Sequence, residues 1–170
     1  MEKAVKRRIL LGVTGGIAAY KVAELARLLQ KNNVEVRVAM TEAATRFVGA
    51  VTFQALTGRP VALDAWDSGA AHAIPHIELS RDADAIVIAP ASADMIGKIA
   101  NGLAGDLLSP LCLAREAPLL VVPAMNRQIW ANPATHRNVE RLRGDGVAIL
   151  GPDTGDQACG ETGMGRLLEP

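Results

Sequence analysis

Short apolar runs alternate with longer amphipathic stretches along this chain. Residues 9–13 form an unbroken apolar run that ends at Thr14, Gly15 and Gly16. Beyond the glycines, Ile17, Val22, Leu25, Leu28 and Leu29 recur at helical spacing with Lys21, Glu24 and Arg27 between them, and the pattern fades at Asn32-Asn33. Val34, Val36 and Val38 alternate with Glu35 and Arg37, which predicts a strand over 34–40. Two short helices are expected at 42–48 and 51–56, broken by Gly49 and Gly58, and 65–75 has no period and reads as a loop. Residues 84–89 have the profile of a strand buried on both faces, ended by Pro90-Ala91-Ser92. Helices follow at 93–100 and 107–114, then a strand at 119–122 ended by Pro123. Asn132-Pro133 starts a helix, with a capping side chain and proline at the first helical position, that runs to Gly144 before a last strand at 147–150. This order implies right-handed crossovers and an α/β fold, a doubly wound parallel sheet in a single domain.

In such sheets ligands lie beyond the carboxyl ends of the strands. Thr14, Thr41, Ser92 and Asn126 fall at those ends and are expected to converge on one crevice. The strand–glycine–helix order at 9–20 turns the unpaired N–H groups and the positive dipole end of a helix toward Gly15 and Gly16, an arrangement suited to a phosphate, with Thr14 as a hydroxyl donor. A plain turn with glycines for packing is the alternative. Gly12, Gly15 and Gly16 do not follow G-x-G-x-x-G, and the second strand ends in Thr41 rather than a ribose-binding carboxylate. No Gly-Lys-Ser/Thr follows the turn, so a mononucleotide fits better than NAD or ATP.

Composition narrows the picture. Hydrophobic residues are 49% but aromatics only 3%, so the core must be aliphatic, as in a parallel sheet under helices. The 18 basic and 18 acidic residues cancel, which argues against nucleic acid as the main partner. The basic cluster at 3–8 reads as a solvated N-terminal segment, and no apolar run has signal-peptide or membrane-spanning length, so no membrane partner is expected. Cys112 and Cys159 give no disulfide framework and suit a reducing cytoplasm, and no metal site is expected.

Two stretches carry candidate chemistry. Asn126, in Pro123-Ala124-Met125-Asn126, can orient a carboxylate through its NH₂ group or cap the next helix. The glycine-rich segment 153–166 is expected to be ill suited to packing and suited to moving, with Cys159 at its centre; a frayed terminus with an incidental thiol is the alternative. Cys112, within an apolar stretch, reads as a small buried hydrophobe.

Five stretches in order resemble the flavin-containing cysteine decarboxylases: 12–21, His76-Ile77, 89–94 (Ala-Pro-Ala-Ser-Ala-Asp), Pro123–Asn126 with Trp130, and Ala158-Cys159-Gly160-Glu161 leading to Gly165-Arg166. The resemblance spans nearly the whole chain and points to a Rossmann-like flavoprotein with FMN. It implies decarboxylation of 4'-phosphopantothenoylcysteine to 4'-phosphopantetheine in coenzyme A synthesis. Oxidation of the thiol-bearing carbon creates an electron sink, CO₂ departs, and the enethiolate is re-reduced, so the net reaction is redox-neutral. By motif position His76 is the active-site histidine, a base or anion stabiliser; from the residues alone His72 would be an equal candidate. Asn126 grips the substrate carboxylate, and Cys159 on a flap at about 152–166 donates the proton that completes reduction. FMN contacts would come from Thr14, Gly15, Gly16, Thr41, Ser92, Asp106, Ser109 and Met125, and substrate contacts from Asn126, Ala158 and Arg166, the last toward a phosphate. Relatives form homo-oligomers, trimers that can assemble into dodecamers.

Ile129 stands where the family has methionine, a volume-similar change. Asp94-Met95 is closer to the bacterial bifunctional branch, in which a ligase domain follows, and an N-terminal domain without that ligase is expected here. A flavin prenyltransferase or a non-catalytic flavin module of the same fold are the alternatives. Prenyltransferases lack the cysteine flap, and a passive module needs no converging asparagine, histidine and thiol.

Overall fold

Five parallel strands form the centre of the molecule in the order β2-β1-β3-β4-β5. The computed structural model describes residues 6–64 and 75–170, the side chains of 75–77 excepted. The strands are β1 (Arg8–Val13), β2 (Glu35–Met40), β3 (Ala85–Ala91), β4 (Leu119–Pro123) and β5 (Ala148–Ile149). Successive residues of a strand face opposite sides, and here both sides are apolar. Leu10, Ile86, Ile88 and Val121 pack in one layer with α5 (Ala93–Ala100), α6 (Leu108–Leu113) and α8 (Pro133–Gly144). Leu11, Val13, Val36 and Val38 pack in the other with α1 (Ala19–Lys31), α2 (Glu42–Thr45) and α3 (Ala50–Thr57). Coverage of both faces is why the strands read as unbroken apolar runs. The expected doubly wound α/β sheet is the observed one.

Boundaries shift where polar chemistry decides them. Gly49 and Gly58 bracket α3 as expected, and Gly58 ends it in the left-handed region at φ +68°. Asn132 caps α8 by accepting from the Ala134 N–H at 2.9 Å. Strand β3 does not stop before Pro90; it continues to Ala91, and its ladder with β4 is irregular between Ile88 and Ala91. A proline lacks an N–H to donate, and a break in the ladder is where a central strand can hold one. Helix α4 (Pro75–Arg81) was not expected, although Pro75 at its start, Glu78 in its first turn and Arg81 in its last are all helix signals. The loop expected at 65–75 lies almost wholly outside the described residues. Among the described residues no helix is long and apolar enough to cross a membrane.

The largest difference is at the C-terminal end. Residues 153–166 form an antiparallel hairpin, β6 (Asp153–Asp156) and β7 (Thr162–Arg166). It packs against the short helix α7 (Arg127–Ala131) and the segment that follows β4, with the Met125 N–H donating to the Gly165 carbonyl at 2.9 Å. The glycines expected to prevent packing permit it. A Cβ at Gly165 would fall 2.2 Å from the Met125 carbonyl oxygen, and Gly165 sits at φ +136°, where side chains are strained.

Candidate active site

The strand order reverses between β1 and β3, since the chain leaves β1 for β2 on one side and returns to β3 on the other. That is where an open α/β sheet forms a crevice. A cavity of about 890 Å³ opens there, lined by Gly15 and Gly16 after β1, Ser92 after β3, and Met125 and Asn126 after β4. The hairpin completes it with Ala158, Cys159 and Arg166.

The β1–α1 turn is shaped for an anion. Ala18, at the N-cap of α1, offers no capping side chain, and no acidic residue occupies the first turn. The Ala19 N–H donates to the Gly16 carbonyl at 3.0 Å and the Lys21 N–H to the Ala18 carbonyl at 3.1 Å, so the backbone open to a ligand is residues 15–18 ahead of the helix, all of which line the cavity. An added Cβ at Gly16 would meet nothing within 4 Å, whereas one at Gly15 would fall 2.6 Å from the Ala43 side chain. Gly15 lets the chain pass β2's exit, and Gly16 leaves open space beside the helix end. Ser92 accepts from the Met95 N–H at 3.2 Å as the cap of α5, which leaves its hydroxyl proton to donate into the cavity.

Four expected cofactor contacts have hydrogen-bond partners within the fold. Thr14 is 1% exposed; its hydroxyl donates to the Pro90 carbonyl and accepts from the Ser92 N–H at 3.0 Å, joining the ends of β1 and β3. Thr41 caps α2 by accepting from the Ala44 N–H at 3.2 Å. Asp106 accepts from the Ser109 N–H at 2.8 Å, the Ser109 hydroxyl at 3.0 Å and Lys98 Nζ at 2.9 Å, and Ser109 is fully buried. Burial would raise the Asp106 carboxyl, but the Ser109 and Lys98 hydrogen bonds outweigh it and hold the carboxyl below its ordinary range. None of these four lines the cavity. Of the strand-end residues expected to converge, Ser92 and Asn126 line the cavity, Thr14 lies behind Ser92, and Thr41 does not line it. The residue after a strand is also the residue before a helix, so a short hydroxyl there tends to be taken for capping.

Asn126 fills both roles that its position allowed. Its Oδ1 accepts from the Gln128 N–H at 2.8 Å, capping α7, while its Nδ2 faces the hairpin. That Nδ2 lies 3.2 Å from Glu161 Oε2 and 3.8 Å from Cys159 Sγ. Cys159 is a free, exposed thiol at the hairpin turn, 3.7 Å from the same Glu161 oxygen. Arg127 and Gln128 also reach Glu161, at 3.3 Å and 3.2 Å, and the Arg127 hydrogen bond holds the Glu161 carboxyl below its ordinary range. Glu161 lies inside the quoted Ala-Cys-Gly-Glu stretch but received no role; three donor side chains in a row at 126–128 were the available signal. At the rim, Lys21 and Arg166 share the Glu169 carboxylate, with Lys21 Nζ at 2.6 Å and Arg166 Nη2 at 2.5 Å.

His76 belongs to the first turn of α4, which packs against α6. Its side chain, like all of His72, lies outside the described residues. Cys112 is fully buried, and burial pushes its thiol up to about 12, so it packs as a hydrophobe and has no thiolate to offer. Among the described residues no cluster could hold a metal ion.

A Rossmann-like sheet with a phosphate-ready turn at its switch point defines a class of nucleotide-binding proteins. The Flavoprotein family model matches residues 1–170, and the chain belongs to that family. It is 50% identical over 164 residues to the coenzyme A biosynthesis bifunctional protein CoaBC of Escherichia coli, covering 96% of this chain and 40% of the relative. The chain thus spans about two fifths of the length of that relative. In structure it is similar to a cysteine-to-serine variant of PPC decarboxylase complexed with pantothenoylaminoethenethiol, with TM-score 0.87 and 35% identity over 97% of this chain and 92% of that one. The FMN-dependent cysteine decarboxylase SpaF aligns with TM-score 0.83 and 34% identity over 92% and 89% of the two chains.

Proposed function

We propose that this chain is an FMN-dependent decarboxylase domain that converts 4'-phosphopantothenoylcysteine to 4'-phosphopantetheine in coenzyme A synthesis. One observation carries the reading: the Asn126 amide and the Cys159 thiol meet within 3.8 Å in the cavity that also receives the uncapped end of α1. The comparison with PPC decarboxylase over nearly the full length of both chains supports it.

The backbone of Gly15, Gly16 and Ile17 at the entry to α1 would hold the FMN phosphate, with Ser92 and Met125 beside the cofactor. The group supplies a reversible two-electron acceptor when bound. The protein's own work is binding and proton traffic. Asn126 Nδ2 donates to the substrate carboxylate and fixes the carbon from which CO₂ leaves. The Cys159 thiol is positioned on the hairpin to give its proton to the substrate carbon in the last step, and His76 would act as base or anion stabiliser in the first. Arg166 and Lys21, paired on Glu169 at the rim, would turn from that carboxylate to the substrate phosphate.

Segment 152–166 serves as the substrate flap, and the chain supplies the decarboxylase half of a protein that elsewhere carries a ligase. Exposed Ile17 and Tyr20 at the cavity edge support assembly with further copies, as trimers or dodecamers. The compartment is the cytoplasm, in keeping with two unpaired thiols.

Anaerobic incubation of purified, FMN-loaded protein with 4'-phosphopantothenoylcysteine should release CO₂ and form 4'-phosphopantetheine. A protein that stays colourless and takes up no FMN would overturn the reading. Bound yellow flavin without turnover would favour a passive module.

A further inference from the structure

The Asn126 amide that the proposed function assigns to a substrate carboxylate already holds a carboxylate. Three consecutive side chains direct donors at Glu161: Asn126 Nδ2 to Oε2 at 3.2 Å, Gln128 Nε2 to Oε1 at 3.2 Å, and the Arg127 guanidinium at 3.3 Å from Oε2. The Cys159 thiol donates to the same Oε2 at 3.7 Å. We infer that Glu161 is a specificity-determining residue, the hairpin's own stand-in for the substrate carboxylate, which occupies Asn126 until a carboxylated ligand displaces it. The inference rests on the decarboxylase reading above.

The chemistry of the cluster supports exchange. A carboxylate accepts at about four lone-pair sites, and this one is met by donors from four residues, enough for an α-carboxylate in its place. Charge-assisted hydrogen bonds are about 2.7–2.9 Å when tight; these are longer. The Glu161 side chain is 36% exposed, so water can replace each contact as it breaks. The Arg127 hydrogen bond holds the Glu161 carboxyl below its ordinary range, so it meets the site as a carboxylate. Two carboxylates at one amide repel, so an arriving carboxylate expels Glu161 and frees the Cys159 thiol from it.

Selection follows from the competition. A ligand without a carboxylate has nothing with which to take Asn126, and Glu161 keeps its place. After CO₂ is lost the product is such a ligand, and the return of Glu161 to Asn126 favours release.

The test uses the flavin-loaded full chain and two unreactive ligands that differ by one group. Phosphopantothenoylserine keeps the carboxylate and replaces sulfur with oxygen; phosphopantothenoylethanolamine lacks the carboxylate. Calorimetric titration should find the serine ligand bound about tenfold more tightly by Glu161→Ala than by wild type, equal to about 1.4 kcal/mol. Glu161→Gln should tighten it less, and the ethanolamine ligand should move by less than about twofold in either variant. That second ligand also certifies the fold of the variants. A working decarboxylase whose variants bind the serine ligand no more tightly, or shift both ligands alike, overturns the inference alone. A wild-type protein that binds neither ligand and releases no CO₂ from the cysteinyl substrate overturns the decarboxylase reading and the inference with it.

Discussion

The carboxyl edge of the sheet has two polar regions that use their side chains in opposite ways. Between β1 and β3, Thr14 is buried with its hydroxyl both donating and accepting inside the fold, and nearby Ser109 and Asp106 satisfy each other. Between β4 and the hairpin, Asn126, Cys159 and Glu161 remain partly exposed at separations of 3.2–3.8 Å. The first region is a joint and the second is a socket. Buried polar groups with every valence used hold a fold in one arrangement. Half-exposed groups with long contacts can change partners at little cost.

The sharpest challenge to that contrast is Cys159→Ser. With the socket intact but its acid weakened, CO₂ release should persist while product formation falls by about a hundredfold or more, and an enethiol intermediate should accumulate by mass spectrometry. Full product formation by this variant would remove the cysteine from the mechanism. Asn126→Asp comes next. It sets a carboxylate against the substrate carboxylate and should weaken binding by about 2–5 kcal/mol, read as Kd for an unreactive carboxylated ligand. Thr14→Val tests the joint: it leaves the Pro90 carbonyl only the Thr14 N–H at 3.4 Å and strands the Ser92 N–H, which should cost about 1–3 kcal/mol in urea unfolding, with FMN affinity unchanged. A large loss of FMN affinity at unchanged stability would return Thr14 to the cofactor. Asp106→Asn should show the smallest effect, about 1 kcal/mol at neutral pH. The folded-state carboxyl is held below its ordinary range, so its contribution is present above about pH 4 and lost as pH falls through the lowered value. Wild type and variant should therefore converge in stability in acid.

Much of this fold was legible in the sequence because a sheet covered on both faces imposes a simple pattern. Residues 9–13, 84–89 and 119–122 could hardly be anything but central strands, and the glycines and prolines punctuate the helices between them. The socket was less legible. Asn126 and Cys159 could be named from their surroundings, but their meeting depends on a hairpin that local pattern disguises. The alternation expected of a strand is absent from Thr162-Gly-Met-Gly-Arg166, because its glycines answer to close approach by Met125 and Arg127 and not to a buried face. Thr14 is hard to read for the complementary reason. A hydroxyl beside a glycine turn looks the same in sequence whether it points at a ligand or at Pro90, and only the neighbouring strand 76 residues away decides.

One bond described above sets how the thiol can travel. The Met125 N–H holds the Gly165 carbonyl at 2.9 Å, one residue before Asn126. If the hairpin opens as the proposed flap, this bond sets the pivot, and the asparagine beside it would move least. On the proposed function, the carboxylate grip sits beside the pivot and the proton donor at the far end of the hairpin.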